Sequence, residues 1–232
     1  MTKEHAMYVL FVQLVLPLIA LISSTSVAAQ VAPSANEVAE YKGLLAAAHR
    51  NQAERASKIL SGDGKCTVRD SSGRSPIHIA THASAYKTLE ALVKGGCNIR
   101  DFDSQSYDAI TIAAVANDVQ MVRLAIKLGG DPAAVTSPYD GTALIAAAHL
   151  GHVEVVKTLI KSGAPLDHVN NLGWTALIEA VVLGDGGENH VETARALVDA
   201  GADKSIRDRN GMTPLQLAKQ RRFPAMIQLL ER

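Results

Sequence analysis

Aromatic residues are scarce in this sequence: Phe, Trp and Tyr make up 4% of its 232 residues. The chain must therefore build its core from Ala, Leu, Val and Ile, which suits a narrow apolar strip spread along an extended array. Net charge is also missing, because 23 basic residues balance 23 acidic ones. Affinity for a phosphate backbone rests on an excess of Lys and Arg, so the composition argues against a nucleic-acid target.

Motifs typical of catalytic and metal sites are missing as well. The sequence contains no nucleophile elbow, no phosphate-binding glycine loop and no paired metal-ligand motif. Asp185, Glu188 and His190 lie in a glycine-rich stretch, but their spacing matches no calcium or zinc arrangement. We therefore predict a protein that is not an enzyme and that holds no metal or other cofactor.

Residues 1–29 have the features of a secretory signal peptide. Lys3 precedes an apolar stretch over residues 7–22, and the small residues 26–29 offer a cleavage site. The apolar stretch is shorter than the ~20 residues that span a membrane, which argues against the alternative of an uncleaved anchor. We expect export to the periplasm or secretion, no stable membrane insertion after cleavage, and a flexible lead-in over residues 30–37.

A repeated unit begins at Thr142. The tripeptide Thr-Ala-Leu at 142–144 recurs 33 residues later at 175–177, and Gly151 and Gly163 fall between them where a pair of helices needs its two breaks. Thr142 is placed to cap the first helix, and apolar residues in the second follow a 3.6-residue period. A single helix pair leaves one long face uncovered, so stacked copies are required to complete a core.

Aligning the cap positions divides the chain into six repeats. The equivalent residues are Lys42, Ser75, Asp108, Thr142, Thr175 and Thr213. The corresponding units are 38–69, 70–102, 103–136, 137–169, 170–207 and 208–232. The fifth unit is the longest, because a glycine-rich insertion separates its two helices.

These motifs resemble the ankyrin repeat, whose pattern has Thr-Pro-Leu-His at the first helix and Gly-Ala-Asp after the second. The matching segments are Thr142-Ala143-Leu144, Gly151-His152, Glu154-Val155-Val156, Leu159-Ile160, Gly163-Ala164 and Ser75-Pro76-Ile77-His78. The resemblance implies an all-α solenoid of about six helix-turn-helix repeats with short loops or β-turn fingers. It also implies that His78 hydrogen-bonds neighbouring backbone, and that Ser75 beside it is a helix cap and not a nucleophile.

The resemblance further implies where a partner protein binds. In the family, loop tips before each cap and the exposed face of each first helix contact the partner. Trp and Tyr anchor many interfaces. The residues of this sequence that we predict to contact the partner are Tyr107, Tyr139, Trp174, His149, Leu150, Leu172 and Leu183. We expect Tyr107 and Tyr139 to contact the partner. For Trp174 a second interpretation stays open, in which its ring covers helix ends within the stack.

The two cysteines, Cys66 and Cys97, stand 31 residues apart, in near-equivalent loops of adjacent repeats. An oxidising compartment favours a disulfide between them. Equivalent atoms of adjacent repeats usually lie farther apart than the ~5.5–6 Å that separates the Cα atoms of a disulfide. Two interpretations stay open: a disulfide, or Cys97 as a small buried apolar residue.

The sequence thus predicts a binding module without catalysis that is exported and holds another exported protein. A host-directed secreted effector is the alternative, since ankyrin arrays also occur in that class. An enzyme is disfavoured further because His49, His82 and His149 share one position of their repeats, as a repeated structural role would require.

Overall fold

The computed structural model describes residue 30 and residues 32–232. The secretory signal predicted for residues 1–29 lies outside the described residues. The predicted repeats all fall within the unit formed by residues 33–232.

Thirteen α-helices occur in the described part of the chain. After α1 (Ala35–Glu40) they form six pairs, one pair for each repeat. The pairs are α2 (Gly43–His49) with α3 (Ala53–Leu60), α4 (Pro76–His82) with α5 (Tyr86–Lys94), α6 (Ala109–Val115) with α7 (Val119–Lys127), α8 (Ala143–His149) with α9 (Val153–Lys161), α10 (Ala176–Val182) with α11 (Glu188–Asp199), and α12 (Pro214–Arg221) with α13 (Pro224–Leu230).

The first helices begin at the residues that the sequence predicts as caps. The side chains of Asp108, Thr142, Thr175 and Thr213 each accept a hydrogen bond from the backbone N–H three residues on. Lys42 precedes α2 and makes no such bond, as its side chain has no acceptor. Each of these four capping side chains satisfies a backbone donor that the helix itself leaves free.

The helices form two layers. Each first helix packs against the first helix of the next repeat, from α2 through α12, and against the second helix of its own repeat. Leu89, Leu144, Leu159 and Leu177 lie between the layers with at most 1% of their surface exposed. The predicted fold is confirmed as an all-α solenoid of six helix-turn-helix repeats.

Short loops that we call fingers join each repeat to the next. Each finger closes on itself with a backbone hydrogen bond, as from the N–H of Asp103 to the carbonyl of Tyr107 (3.0 Å) and from the N–H of Asn170 to the carbonyl of Trp174 (3.0 Å). Adjacent finger tips are linked too, since the N–H of Asn171 donates to the carbonyl of Tyr139 (2.9 Å). The fingers therefore form one continuous edge of the array.

The segment predicted as a flexible lead-in differs in the structure, because α1 begins within it. Ser34 and Glu37 form a capping box that starts this helix. The Glu37 carboxylate also accepts from the Ser71 hydroxyl (3.2 Å) and pairs with the Arg74 guanidinium. These contacts fasten α1 to the finger of the second repeat.

Cys66 and Cys97 are joined by a disulfide with their Cα atoms 5.1 Å apart. The residues belong to adjacent repeats but are offset by two positions within them. This offset brings the two Cα atoms within the range that a disulfide needs. The bond adds a covalent link between the first and second repeats.

None of the helices in the described region has both the length and the apolar character required to cross a membrane.

Candidate partner-binding face

The predicted contact residues fall into two neighbouring groups. Tyr107, Tyr139, Leu172 and Trp174 belong to fingers, whereas His149, Leu150 and Leu183 stand where first helices end. His149 is the last residue of α8, and Leu150 and Leu183 are the C-caps of α8 and α10. We call these two groups together the finger face.

Tyr107 does not belong to the accessible part of this face. Only 5% of its surface is exposed, and burial beside Tyr139 and Asp103 raises the pKa of its hydroxyl to about 12. Its N–H donates to the Asp103 carboxylate (2.9 Å), and its carbonyl accepts from His78 Nε2 (3.1 Å). Because Tyr107 is built into the joint between two repeats, the prediction that its ring contacts a partner does not agree with the structure.

The remaining six residues are half-buried and reach the surface. Trp174 also packs against the hydrophobic core, so its ring covers the stack while keeping an accessible edge. Tyr139 and Leu172 sit at adjacent finger tips, and the Asn171 bond to the Tyr139 carbonyl holds these tips together. The structure therefore brings Tyr139, Leu172 and Trp174 together on the fingers of the fourth and fifth repeats.

Exposed apolar side chains in the loops before the finger tips were missed by the sequence prediction. Within residues 32–232, the large apolar side chains that are 40% to 49% exposed are Val68, Phe102, Val135 and Val169. They recur every 33 or 34 residues, and this period is the signal that could have identified them.

One residue in each finger clamps its turn. At the position five residues before the cap, Asp70, Asp103, Asn170 and Asp208 each accept backbone N–H bonds from the residues two and four places on. Asn170 differs from the others because its amide N–H also donates, to Glu179 Oε1 at 3.0 Å. The finger that carries Leu172 and Trp174 is thus connected to a carboxyl group on α10.

Glu179 is a buried carboxyl at the edge of the finger face, with 3% of its surface exposed. Burial raises its pKa from 4.5 to about 7, although the Asn170 bond opposes this change. Its Oε2 atom lies 3.5 Å from His149 Nδ1. Burial and the neighbouring His190 lower the pKa of His149, so the ring is neutral at pH 7 and this approach is not an ion pair.

Glu179→Gln is expected to change how stability depends on pH. In the wild type the unfolded chain releases the Glu179 proton near pH 4.5, but the folded chain keeps it until about pH 7. The wild type therefore loses roughly 3 kcal/mol of stability as pH rises through this window. The glutamine side chain of the variant does not titrate, so the variant does not lose this stability. Urea unfolding of both proteins across the window measures this difference.

The comparison isolates Glu179, because both proteins share the other titrating groups. Among them is His82, whose pKa is lowered to about 4 by burial and by Arg74 and His78. The lowered pKa of His82 changes stability with pH in the opposite direction to Glu179. Its contribution to the stability of the folded protein is lost as pH falls, not as pH rises. A difference between the two proteins that stays constant across the window would contradict the prediction.

Other histidines stabilise the array through backbone contacts. His78 Nδ1 accepts from the N–H of Ser75 (2.9 Å), and its Nε2 donates to the carbonyls of Asp101 (3.0 Å) and Tyr107 (3.1 Å). The predicted backbone role of His78 is confirmed. His152 Nδ1 likewise donates to the carbonyl of Ala114 in the preceding repeat (2.9 Å).

The insertion of the fifth repeat is fastened to its surroundings. His190 bonds Asp185 Oδ1 (2.9 Å) and the carbonyl of His149 (3.0 Å), and Arg221 donates to the carbonyl of Gly184 (3.2 Å). A Cβ at Gly186 would lie 2.4 Å from the Phe223 ring, so this close approach requires glycine. Across the described residues no group of three His, Cys, Asp or Glu side chains could hold a metal ion.

The comparison with protein families decides the classification. A model described as ankyrin repeats (3 copies) matches residues 44–136 and 110–208. The chain belongs to the ankyrin repeat family. Ankyrin repeats are in general interaction scaffolds for proteins and do not catalyse reactions.

Individual ankyrin repeat proteins match most of the chain. YahD of Escherichia coli (strain K12), described as an ankyrin repeat protein, is 29% identical over 187 residues, which cover 80% of this chain and 92% of that protein. A solved ankyrin repeat domain from Acinetobacter baumannii AYE is 36% identical, with a TM-score of 0.76 over 81% of this chain and 95% of that chain. The glycerophosphocholine phosphodiesterase gde1 of Schizosaccharomyces pombe is 33% identical over 58% of this chain, but this match covers only 12% of that enzyme.

Proposed function

We propose that this ankyrin repeat protein is exported from the cytoplasm and captures another exported protein on its finger face. The observation that carries the proposal is the cluster of accessible aromatic and apolar side chains on the fourth and fifth repeats. Tyr139, Leu150, Leu172, Trp174 and Leu183 are all half-buried there. Aromatic and aliphatic side chains of this kind anchor protein interfaces when a partner covers them.

The proposed compartment rests on two features. Residues 1–29 have the pattern of a secretory signal. The disulfide between Cys66 and Cys97 suits an oxidising compartment such as the periplasm, because disulfides are rare in a reducing cytosol. Both features support export, and fractionation of cells followed by detection of the protein tests it.

Partner capture is expected to depend on the finger face. We expect Tyr139→Ala combined with Leu150→Ala to weaken capture on the order of tenfold or more, because truncated anchors lose most of the contact energy. The measurement is co-purification from a periplasmic extract, with the captured protein quantified by mass spectrometry. Once identified, that protein is titrated against both forms.

Glu154→Ala combined with Lys157→Ala is the matched control. These residues lie on the outer helix α9, with side chains 63% and 52% exposed, so their loss should leave capture unchanged. Both double variants should keep the wild-type circular dichroism spectrum. Equal capture by the wild type and the finger-face variant would contradict the proposed function.

A further inference from the structure

Arg74 breaks the pattern of the repeats at the position directly before the cap. The equivalent residues of the other repeats are uncharged: Tyr41, Tyr107, Gly141, Trp174 and Met212. A finger therefore does not require a charged residue at this position. The guanidinium group is oriented by its own finger, because Arg74 Nε donates to Asp70 Oδ2 (2.7 Å). Asp70 is fixed in turn, since the Tyr41 hydroxyl donates to the same oxygen (2.7 Å).

Three donors of the second finger converge on one carboxylate oxygen. Glu37 Oε1 accepts from the hydroxyls of Ser71 (3.2 Å) and Ser72 (3.4 Å). The same oxygen pairs with the Arg74 guanidinium. Both serines are exposed, and no other finger contains two adjacent serines. Because a guanidinium and hydroxyl groups are donors that suit a carboxylate, the tip of this finger is a complete carboxylate-binding site.

The carboxylate that occupies this site belongs to the least buried helix. None of the six residues of α1 is buried, whereas each of the other helices in the described region has at least one buried residue. An isolated helix of this length is unstable in water, so α1 depends on its contacts with the array. These include the Glu37 carboxylate and the half-buried Val38, which packs against the core. Release of α1 would therefore open the site without removing a buried residue from the core.

The site lies on the same edge of the array as the finger face. The N–H of Ser104 donates to the carbonyl of Ser72 (3.2 Å), and the N–H of Ser137 donates to the carbonyl of Ser106 (3.1 Å). These bonds connect the second finger through the third to the fourth, which carries Tyr139. A protein that lies along this edge contacts both the finger face and the second finger.

We propose that the second finger binds an acidic side chain of the captured protein through Ser71, Ser72 and Arg74. Glu37 occupies the site within the same chain and competes with the partner. This inference rests on the proposed function, and it names the chemistry of the partner and a contact that regulates capture. The tether gives Glu37 a high effective concentration beside the site, so a partner must displace it before the second finger contributes to binding.

The test uses a peptide amide with the sequence of residues 33–41, PSANEVAEY. The variant Glu37→Gln keeps the capping box of α1, since glutamine also serves at that position, and removes only the charge that pairs with Arg74. We expect the peptide to bind this variant at least about tenfold more tightly than it binds the wild type, in which the tethered carboxylate competes. The amide signals of Ser71 and Ser72 in nuclear magnetic resonance spectra measure both affinities.

A second peptide and a second variant are the controls. The peptide with Gln in place of Glu37 should bind the Glu37→Gln protein at least about tenfold more weakly than the acidic peptide does. Glu40 is an exposed carboxyl on the same helix, so Glu40→Gln should bind the acidic peptide no better than the wild type does. Equal affinity of Glu37→Gln and the wild type, or of the two peptides for Glu37→Gln, would overturn the proposal. These measurements need no captured protein, so they can fail independently of the capture test.

Titration of the captured protein tests the assignment to the partner. Its dissociation constant should be at least about threefold lower for Glu37→Gln than for the wild type, because the competing carboxylate is gone and the site is open. Glu40→Gln should leave the constant unchanged. An unchanged constant with Glu37→Gln would show that no acidic side chain of the partner uses the second finger.

Discussion

Replacing Cys66 and Cys97 together by serine is expected to lower the free energy of unfolding by roughly 3 to 4 kcal/mol. The disulfide joins residues 31 positions apart, and this link removes conformational freedom from the unfolded chain. The chain-entropy relation for a loop of this length gives the stated range. Urea unfolding of both proteins without reductant measures the difference.

Reductant provides the control for this prediction. It should destabilise the wild type by a similar amount and leave the double variant unchanged. Because each repeat contacts mainly its neighbours, the loss should be concentrated in the first two repeats and appear as faster proteolysis within residues 38–102. A wild-type protein that is equally stable with and without reductant would contradict the prediction.

The fold could be predicted because it depends on short-range rules that recur. A cap such as Thr142 starts a helix through its own hydroxyl, and a glycine such as Gly151 ends one through its backbone conformation. Each rule involves only a few consecutive residues, so the sequence contains all the information required. Repetition at a nearly constant period then fixes how the helix pairs stack.

The candidate site could be predicted only in part, because side-chain direction in a finger depends on contacts between repeats. Tyr107 and Tyr139 both lie in fingers, yet only Tyr107 is buried. Its finger packs against the preceding repeat, where His78 donates a hydrogen bond to the Tyr107 carbonyl. The partnership of Asn170 and Glu179 joins residues nine positions apart. Neither a cap rule nor a helical period relates two such positions.

Local sequence did contain one signal that the prediction overlooked. Ser34 and Glu37 stand at capping-box spacing before a helix. Their segment is short and polar, so composition alone indicated a flexible lead-in. The tertiary contact that stabilises this helix, between Glu37 and Arg74, spans 37 residues and cannot be read from composition.

Arg74→Ala is expected to destabilise the protein by about 3 to 5 kcal/mol, the range for breaking a buried ion pair from one side. The Arg74 side chain is 4% exposed and donates through Nε to Asp70 at 2.7 Å while pairing with Glu37. Removing it leaves the Asp70 carboxylate, also 4% exposed, without this cation. It also weakens the attachment of α1, because Glu37 then keeps only hydroxyl contacts, such as that from Ser71, to the finger of the second repeat. Urea unfolding monitored by circular dichroism measures the loss.

Arg69→Ala is the matched control for the charge removed. Arg69 also pairs with an aspartate across a repeat boundary, Asp101 at 2.8 Å, but its side chain is 32% exposed. Solvent screens such a pair, so its loss should cost no more than about 1 kcal/mol. Equal stability of the two variants would contradict the prediction. Burial would then not determine how much stability the Arg74 contacts provide, and other contacts would hold α1 to the array.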